Sequence, residues 1–220
     1  MPDQVFTVPW YFDYGATFLW AVSGAIVAAR RGYDLSGVAA LALVSSTGGG
    51  LIRDGLFLQN GPPVLVRTPV YLLIVAAAAL LVLLVGARLH KHLYFLHLVE
   101  IVDALGLGAY AVVGMQLAIE AGLSLPGVTL IGVVNAVGGG ILRDLLTRQE
   151  PEAFKPGTLT VVAVLGCCLV FLVLEKGFEV SPYLAAWPTI IVAFTIRVLS
   201  IRYDIRTRPL SGFEPKEPGS

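Results

Sequence analysis

Apolar stretches alternate with short polar breaks along the chain up to about residue 202. Two of them, 70–87 and 158–174, contain no charged residue at all. The breaks carry Arg30-Arg31-Gly32, Gly61-Pro62-Pro63, Lys91-His92, Gly122 and Pro151, which are turn and helix-stop signals. A hydrocarbon core of about 30 Å takes about 20 apolar residues of helix to cross. The pattern therefore predicts seven membrane helices, over 14–29, 36–52, 68–87, 95–118, 125–142, 157–174 and 182–199. The expected fold is all-α and polytopic, a single transmembrane domain over 1–202. From 203 to 220 the chain turns polar and rich in Pro and Gly, and is expected to be a disordered cytoplasmic tail.

The pattern repeats. Gly48-Gly49-Gly50-Leu51-Ile52-Arg53-Asp54 returns as Gly138-Gly139-Gly140-Ile141-Leu142-Arg143-Asp144, an offset of 90 residues. At the same offset Asp13 falls on Asp103, Gly24 on Gly114, Gly32 on Gly122 and Gly37 on Gly127. This is an internal duplication, with repeat one over 13–87 and repeat two over 103–174, and the seventh helix, 182–199, outside it. Each repeat holds three helices, so the second enters the membrane from the opposite side. The halves form an inverted pair about a pseudo-two-fold axis in the membrane plane, an arrangement common in transport proteins.

Composition sharpens this reading. Of the 220 residues 56% are hydrophobic and only 14% charged, with a mean hydropathy of +0.81; soluble domains carry about a quarter charged residues. Zero formal net charge gives no field to attract nucleic acid. Cys167 and Cys168 are adjacent in an apolar run and read as small buried hydrophobes rather than a disulfide. The first residues lack a basic segment, and Asp3, Pro9 and Asp13 interrupt any early apolar core, so no signal peptide is expected. With seven spans, 12 of the 15 basic residues fall on one side, leaving Arg53, Arg67 and Lys176 on the other. The positive-inside rule then puts the N-terminus outside and the C-terminus in the cytoplasm of the cell membrane.

Each glycine triplet sits about 18 Å into its helix, a little past mid-membrane. Three glycines in a row favour a kink or an unwound stretch, tolerated where it faces protein or a water-filled path. Close packing through small residues is the competing explanation. Arg53 and Asp54 lie toward one membrane face, Arg143 and Asp144 toward the other. Neighbours in sequence do not share a helix face. Each arginine is therefore expected to pair with another element, a carboxylate of the opposite half being the candidate, as a gate at each end of a pathway. Snorkelling to lipid headgroups is the alternative. Asp13 and Asp103 open the first helix of each half. The first suits the helix dipole; the second lies deeper, where it attracts cations. Ser45, Ser46, Thr47 and Asn135 precede the triplets and bond their own helix or line a hydrated path. His90, His92 and His97 cluster with Lys91 but lack acidic or cysteine companions, so no metal site is expected. Nothing resembles a nucleophile–base pair or phosphate loop, and neither enzymatic activity nor a cofactor is expected.

The stretch Asp13-Tyr14-Gly15, Ser23-Gly24-Ala25, Arg31-Gly32-Tyr33-Asp34-Leu35-Ser36-Gly37 and the first Gly-Gly-Gly-x-x-Arg-Asp resembles a bacterial seven-helix family named after a glycine transporter domain. That family is similar to the prokaryotic branch of the trimeric intracellular cation (TRIC) channels. The resemblance runs from about Asp13 to Arg202. It implies a homotrimer in the lipid membrane with one pore inside each protomer, passing monovalent cations, potassium and sodium. It also implies kinks at both triplets beside the pore. The family label carries the alternative of a small neutral amino acid, such as glycine, as the transported species. Animal members have a lysine after the glycines where this chain has Leu51-Ile52-Arg53-Asp54.

Overall fold

The computed structural model describes residues 10–59, 61–89, 94–155, 159–203 and 205. They form an all-helical bundle: α1 (Trp10–Arg30), α2 (Leu35–Ile52), α3 (Val64–Arg67), α4 (Val70–Leu89), α5 (Tyr94–Glu120), α6 (Leu125–Leu146), α7 (Thr160–Leu172) and α8 (Pro182–Tyr203). Two π-helical turns, Arg53–Leu58 and Val173–Gly177, continue α2 and α7. All seven predicted spans correspond to long helices. The one-turn α3 and the π-helical turns have no counterpart in the apolar pattern. Six helices are long and apolar enough to cross a bilayer. The seventh, α4, has 20 residues, and at 1.5 Å each reaches about 30 Å. The chain is a multi-pass membrane protein. The predicted tail lies outside the described residues apart from Tyr203 and Ile205, as do His90 and His92.

The halves pack alike. In the first, α1 lies against α2 and α4, and α2 also touches α4. In the second, α5 lies against α6 and α7, and α6 also touches α7. The two most extensive contacts between the halves are α1 on α5 and α2 on α6, each between a helix and its own repeat. That is the expected mark of a two-fold axis passing between them. Helix α8 packs outside this set, on α5 and α7.

The loops are matched too. Helices α1 and α5 end at Gly32 and Gly122, both at φ +72°, where any side chain would be strained. The following residue closes the turn in each case, Tyr33 N–H on the Ala28 carbonyl at 3.1 Å and Leu123 N–H on the Ala118 carbonyl at 3.0 Å. Asp34 then caps α2, its Oδ1 accepting from Gly37 N–H and the Ser36 hydroxyl, both at 2.8 Å. Those hydrogen bonds, Gly37's first, hold its carboxyl below the usual range.

Two groups of buried apolar side chains form the interior. One gathers Met115, Val128, Ile131, Val164 and Phe171 around α5, α6 and α7. The other gathers Ile26, Val38, Leu41 and Val75 around α1, α2 and α4. Exposed leucines, including Leu72, Leu73, Leu80 and Leu84 of α4 and Leu165 and Leu169 of α7, ring the outside. Such an apolar exterior suits hydrocarbon, which gives these side chains the environment water denies them.

Candidate functional site

Helices α2 and α6 cross backbone to backbone at the glycine triplets. A methyl group on Gly49 would strike the Asn135 carbonyl, and one on Gly139 the Ser45 carbonyl. One on Gly138 would lie 3.0 Å from Gly49 Cα, and one on Gly48 2.7 Å from Leu142. These four glycines are therefore packing residues. The expected unwinding is not found at either triplet: α-helix runs uninterrupted through 48–50 and 138–140. Small residues facing each other let the helices touch without unwinding. The first change of pitch comes only at Arg53, where the π-helical turn starts, and α6 stays α-helical to Leu146.

The third glycine of each triplet differs. Gly50 and Gly140 face two small cavities, one at each end of the crossing. Asp13, Thr17, Gly50, Arg53, Asp54 and Tyr110 line one. Asp103, Leu107, Gly140, Arg143, Asp144 and Trp20 line the other. Each residue of one set is 90 positions from its counterpart in the other, Trp20 exchanging with Tyr110. The cavities measure about 30 Å³ and 20 Å³. A single water needs roughly 10–15 Å³, so each has room for about one. No lining residue is common to both. On the wall of the first cavity the Tyr110 hydroxyl donates to the Ser46 carbonyl at 2.5 Å and lies 2.9 Å from the Thr17 hydroxyl. Trp20 covers Gly140 from the other side.

Both arginines are buried, 5% exposed at Arg53 and 3% at Arg143, so neither snorkels to headgroups. Their partners correct the expectation of a carboxylate from the opposite half. Arg53 Nε donates to its own neighbour Asp54 at 2.7 Å, and Arg143 Nε to Asp144 at 2.9 Å. An arginine side chain is long enough to fold back on the next residue, which the facing rule for shorter contacts does not capture. Arg143 Nη1 also reaches Asp103 at 2.8 Å, within its own half. The cross-half partners are neutral. Arg53 Nη1 donates to Asn135 Oδ1 at 3.1 Å, and Arg143 Nη1 to the Ser23 hydroxyl at 2.5 Å. Asn135 Nδ2 in turn donates to the Tyr110 carbonyl at 2.7 Å. Asp13 does not repeat the role of Asp103: it accepts from the Tyr71 hydroxyl. Ser46 and Thr47 bond carbonyls of their own helix, Ala42 at 2.8 Å and Leu43 at 2.7 Å. The Ser45 hydroxyl is buried without a partner among the described residues.

Next to each small cavity lies a wider one, about 230 Å³ on the Arg53 side and 190 Å³ on the Arg143 side. The partitions follow one plan. Asp54 Oδ2 accepts from the backbone N–H of Val64 at 3.3 Å, and both residues face both cavities on that side. Asp144 Oδ2 accepts from the backbone N–H of Glu152 at 3.2 Å, and both again face both cavities. Each aspartate thus joins its arginine to the loop that follows the helix. Glu152 adds a contact the other half lacks, accepting from Arg197 Nη2 of α8 at 3.0 Å. Burial pushes the Glu152 carboxyl above its usual range, with Asp103 adding to the rise and Arg197 opposing it.

Tyr71, Tyr110, Trp20, Ser23, Glu152 and Arg197 are absent from the sequence reading of the site. For two of them the signal is the repeat: Trp20 and Tyr110 share the 90-residue offset. Arg197 stands inside an apolar span, which by itself marks a residue facing protein or water. Among the described residues no three His, Cys, Asp or Glu side chains are grouped to hold a metal ion.

Fold and site define an internally duplicated, multi-pass membrane protein whose halves each carry a buried Arg-Asp pair beside a polar cavity. The chain belongs to the glycine transporter family, whose model matches it twice, over residues 10–87 and 100–176, once for each half. It is 28% identical over 200 residues to the UPF0126 inner membrane protein YadS of Escherichia coli K12, covering 90% of this chain and 93% of that one. It is 38% identical over 142 residues to a UPF0126 membrane protein of Deinococcus radiodurans, covering 64% of each. Among solved structures, the TRIC trimeric intracellular cation channel orthologue from Rhodobacter sphaeroides superposes with a TM-score of 0.83 at 30% identity, over 91% of this chain and all of that one. A prokaryotic TRIC channel crystallised in KCl gives a TM-score of 0.80 at 26% identity, over 88% of this chain and 95% of that one. The solved structures it resembles are of cation channels, not enzymes.

Proposed function

We propose that this protein is a potassium-permeable channel for monovalent cations, with a pore inside each protomer of a homotrimer in the cell membrane. The N-terminus lies outside and the C-terminus in the cytoplasm, following the basic residues. The observation that carries the reading is the pair of polar cavities related by the 90-residue offset, placed on either side of the α2–α6 crossing. They make an interrupted path through one chain. Its central closure is the Tyr110–Thr17–Ser46 contact and Trp20. Gly50 and Gly140 supply bare helix surface to the path, and Ser46, Thr47, Asp13 and Asp103 supply oxygen. Arg53–Asp54 and Arg143–Asp144 form its two ends. An arginine beside a cation path repels cations unless a carboxylate neutralises it, and here each is neutralised. The extended likeness to TRIC channels supports the same reading, and with it the trimer.

Transport of glycine is the second reading, favoured by the family description. Against it stands size: cavities of about 30 Å³ and 20 Å³ suit a water or a bare cation better than an amino acid. Single-channel recording of the purified protein in a planar bilayer, with glycine uptake measured on the same preparation, separates the two. Unitary potassium currents without glycine uptake are expected. Uptake without unitary currents would reverse the assignment.

A further inference from the structure

The two ends of the path are not closed alike. On the Arg53 side the partition is the Asp54 carboxylate and the Val64 N–H. On the Arg143 side the same contact recurs, but a second clasp joins the α6–α7 loop to α8, through Glu152 and Arg197. The residue that makes the equivalent contact in the first half is Val64, whose side chain is apolar and uncharged. Arg197 is 3% exposed and lies on the helix outside the duplication, so no first-half element matches it. Glu152 faces both the small cavity and the wider one next to it, as do Arg143 and Asp144.

We infer that residues 147–155 form a lid over the Arg143 cavity, that α8 holds this lid shut through Arg197 and Glu152, and that α8 thereby regulates access from one side only. The lid's clasp is the weakest part of the partition. Asp144 holds it by a backbone contact that survives side-chain changes in the loop, whereas the Glu152 side chain, 29% exposed, already borders water. Arg197, buried in an apolar helix, strongly needs its acceptor. A tilt of α8 against α5 and α7 therefore pulls on the loop directly and leaves Asp54 and Val64 untouched. The other charges facing Glu152 are Asp103 and Glu100 from α5, Arg143 and Asp144 from α6, Lys155 from the loop and Arg30 and Arg31 from α1.

The inference rests on the two cavities belonging to one pathway, but its test does not require that any ion passes. In full-length protein purified in detergent, with Cys167 and Cys168 replaced by alanine, Val137→Cys places a thiol in the Arg143 cavity and Thr47→Cys one in the Arg53 cavity. Labelling rates with a water-soluble methanethiosulfonate read access to each. Glu152→Ala and Arg197→Met are expected to speed labelling at 137 by about tenfold or more, the scale of one lost charged hydrogen bond. The rate at 47 should change less than about twofold, and the double variant should be no faster than the singles. Glu152→Gln keeps an acceptor for Arg197 and is expected to stay slow at 137. Gel filtration checks that each variant is folded, and either single variant suffices for the test. An unchanged rate at 137 in folded Glu152→Ala or Arg197→Met overturns the lid. A rate rising equally at 47 overturns its one-sidedness. Faster labelling without potassium current would leave the lid standing and remove the channel reading.

Discussion

Arg53 donates to Asn135 across 3.1 Å, from α2's end in one half to mid-α6 in the other, 82 positions further along the chain. Asn135 also donates to the Tyr110 carbonyl, so a single amide joins an end arginine to the residue at the central closure. The matching residue in the first half is Ser45, whose hydroxyl has no partner among the described residues. The pseudo-symmetry is thus broken at a buried polar contact between the halves.

Asn135→Ala removes an acceptor from a buried charge and a donor from a buried carbonyl. The expected loss is about 2–4 kcal/mol, given roughly 1.5–3 for a bond to a charged group plus the orphaned carbonyl. Ser45→Ala removes a hydroxyl that bonds nothing described and is expected to be close to neutral. Thermal unfolding of the two variants in detergent checks the contrast. Equal melting temperatures for both would show that Asn135 carries no more than its shape.

The glycines of one triplet are expected to differ. Gly49→Ala and Gly139→Ala each drive a methyl into a backbone carbonyl of the facing helix. They should lower stability by about 1–3 kcal/mol or more, the range for overpacking. Gly50→Ala meets nothing closer than an Arg53 nitrogen at 3.7 Å and should fold normally. If it folds yet alters conductance, the third glycine serves the path and the first two the packing. Wild-type stability in Gly49→Ala would mean the helices are not in contact there.

The seven spans were legible because a hydrocarbon slab demands apolar runs of one length, and the duplication because offsets are visible in letters alone. The offset also predicted that Arg53 and Arg143 would sit at equivalent places, and they do. It did not predict what they touch. Partner choice depends on how a long flexible side chain folds, and Asp54 and Asp144 were dismissed as partners by a rule about helix faces. The glycines were read as sites of unwinding because glycine weakens an isolated helix. In the bundle their missing side chains instead let α2 and α6 come together. Arg197 was counted among the charges of a membrane face although it stands within an apolar span, and the loop position of Glu152 carries no signal of its own.

Removing the two arginines should not have equal effects. Arg143 is held by Asp103 and Asp144, so Arg143→Ala leaves two buried carboxylates facing each other. About 3–5 kcal/mol is the usual loss when a buried pair is broken this way. Arg53→Ala leaves Asp54, which keeps the Val64 N–H, while Asp13 keeps Tyr71. About 2 kcal/mol is expected there. Adding Asp103→Asn to Arg143→Ala should recover part of the loss, and denaturation midpoints of the three variants test the order. A greater loss at Arg53 would invert the electrostatic picture of the two ends.

The Glu152 carboxyl gives the protein a pH dependence of definite sign. Burial raises it first and Asp103 adds to the rise, while Arg197 and Arg143 pull the other way and Asp144 adds again. The unfolded reference for a glutamate is about 4.3. Because the folded value lies above this, the folded protein binds the proton more tightly than the unfolded chain. The contribution of Glu152 to stability is therefore full below the unfolded value and lost as pH rises through the folded one. Glu152→Gln mimics the protonated form and removes the dependence. As pH falls from neutral toward the ordinary carboxylate range, the wild type should gain stability relative to Glu152→Gln, and the two should converge near the acid end. A wild type that loses stability relative to Glu152→Gln over this range would mean that Arg197 outweighs burial.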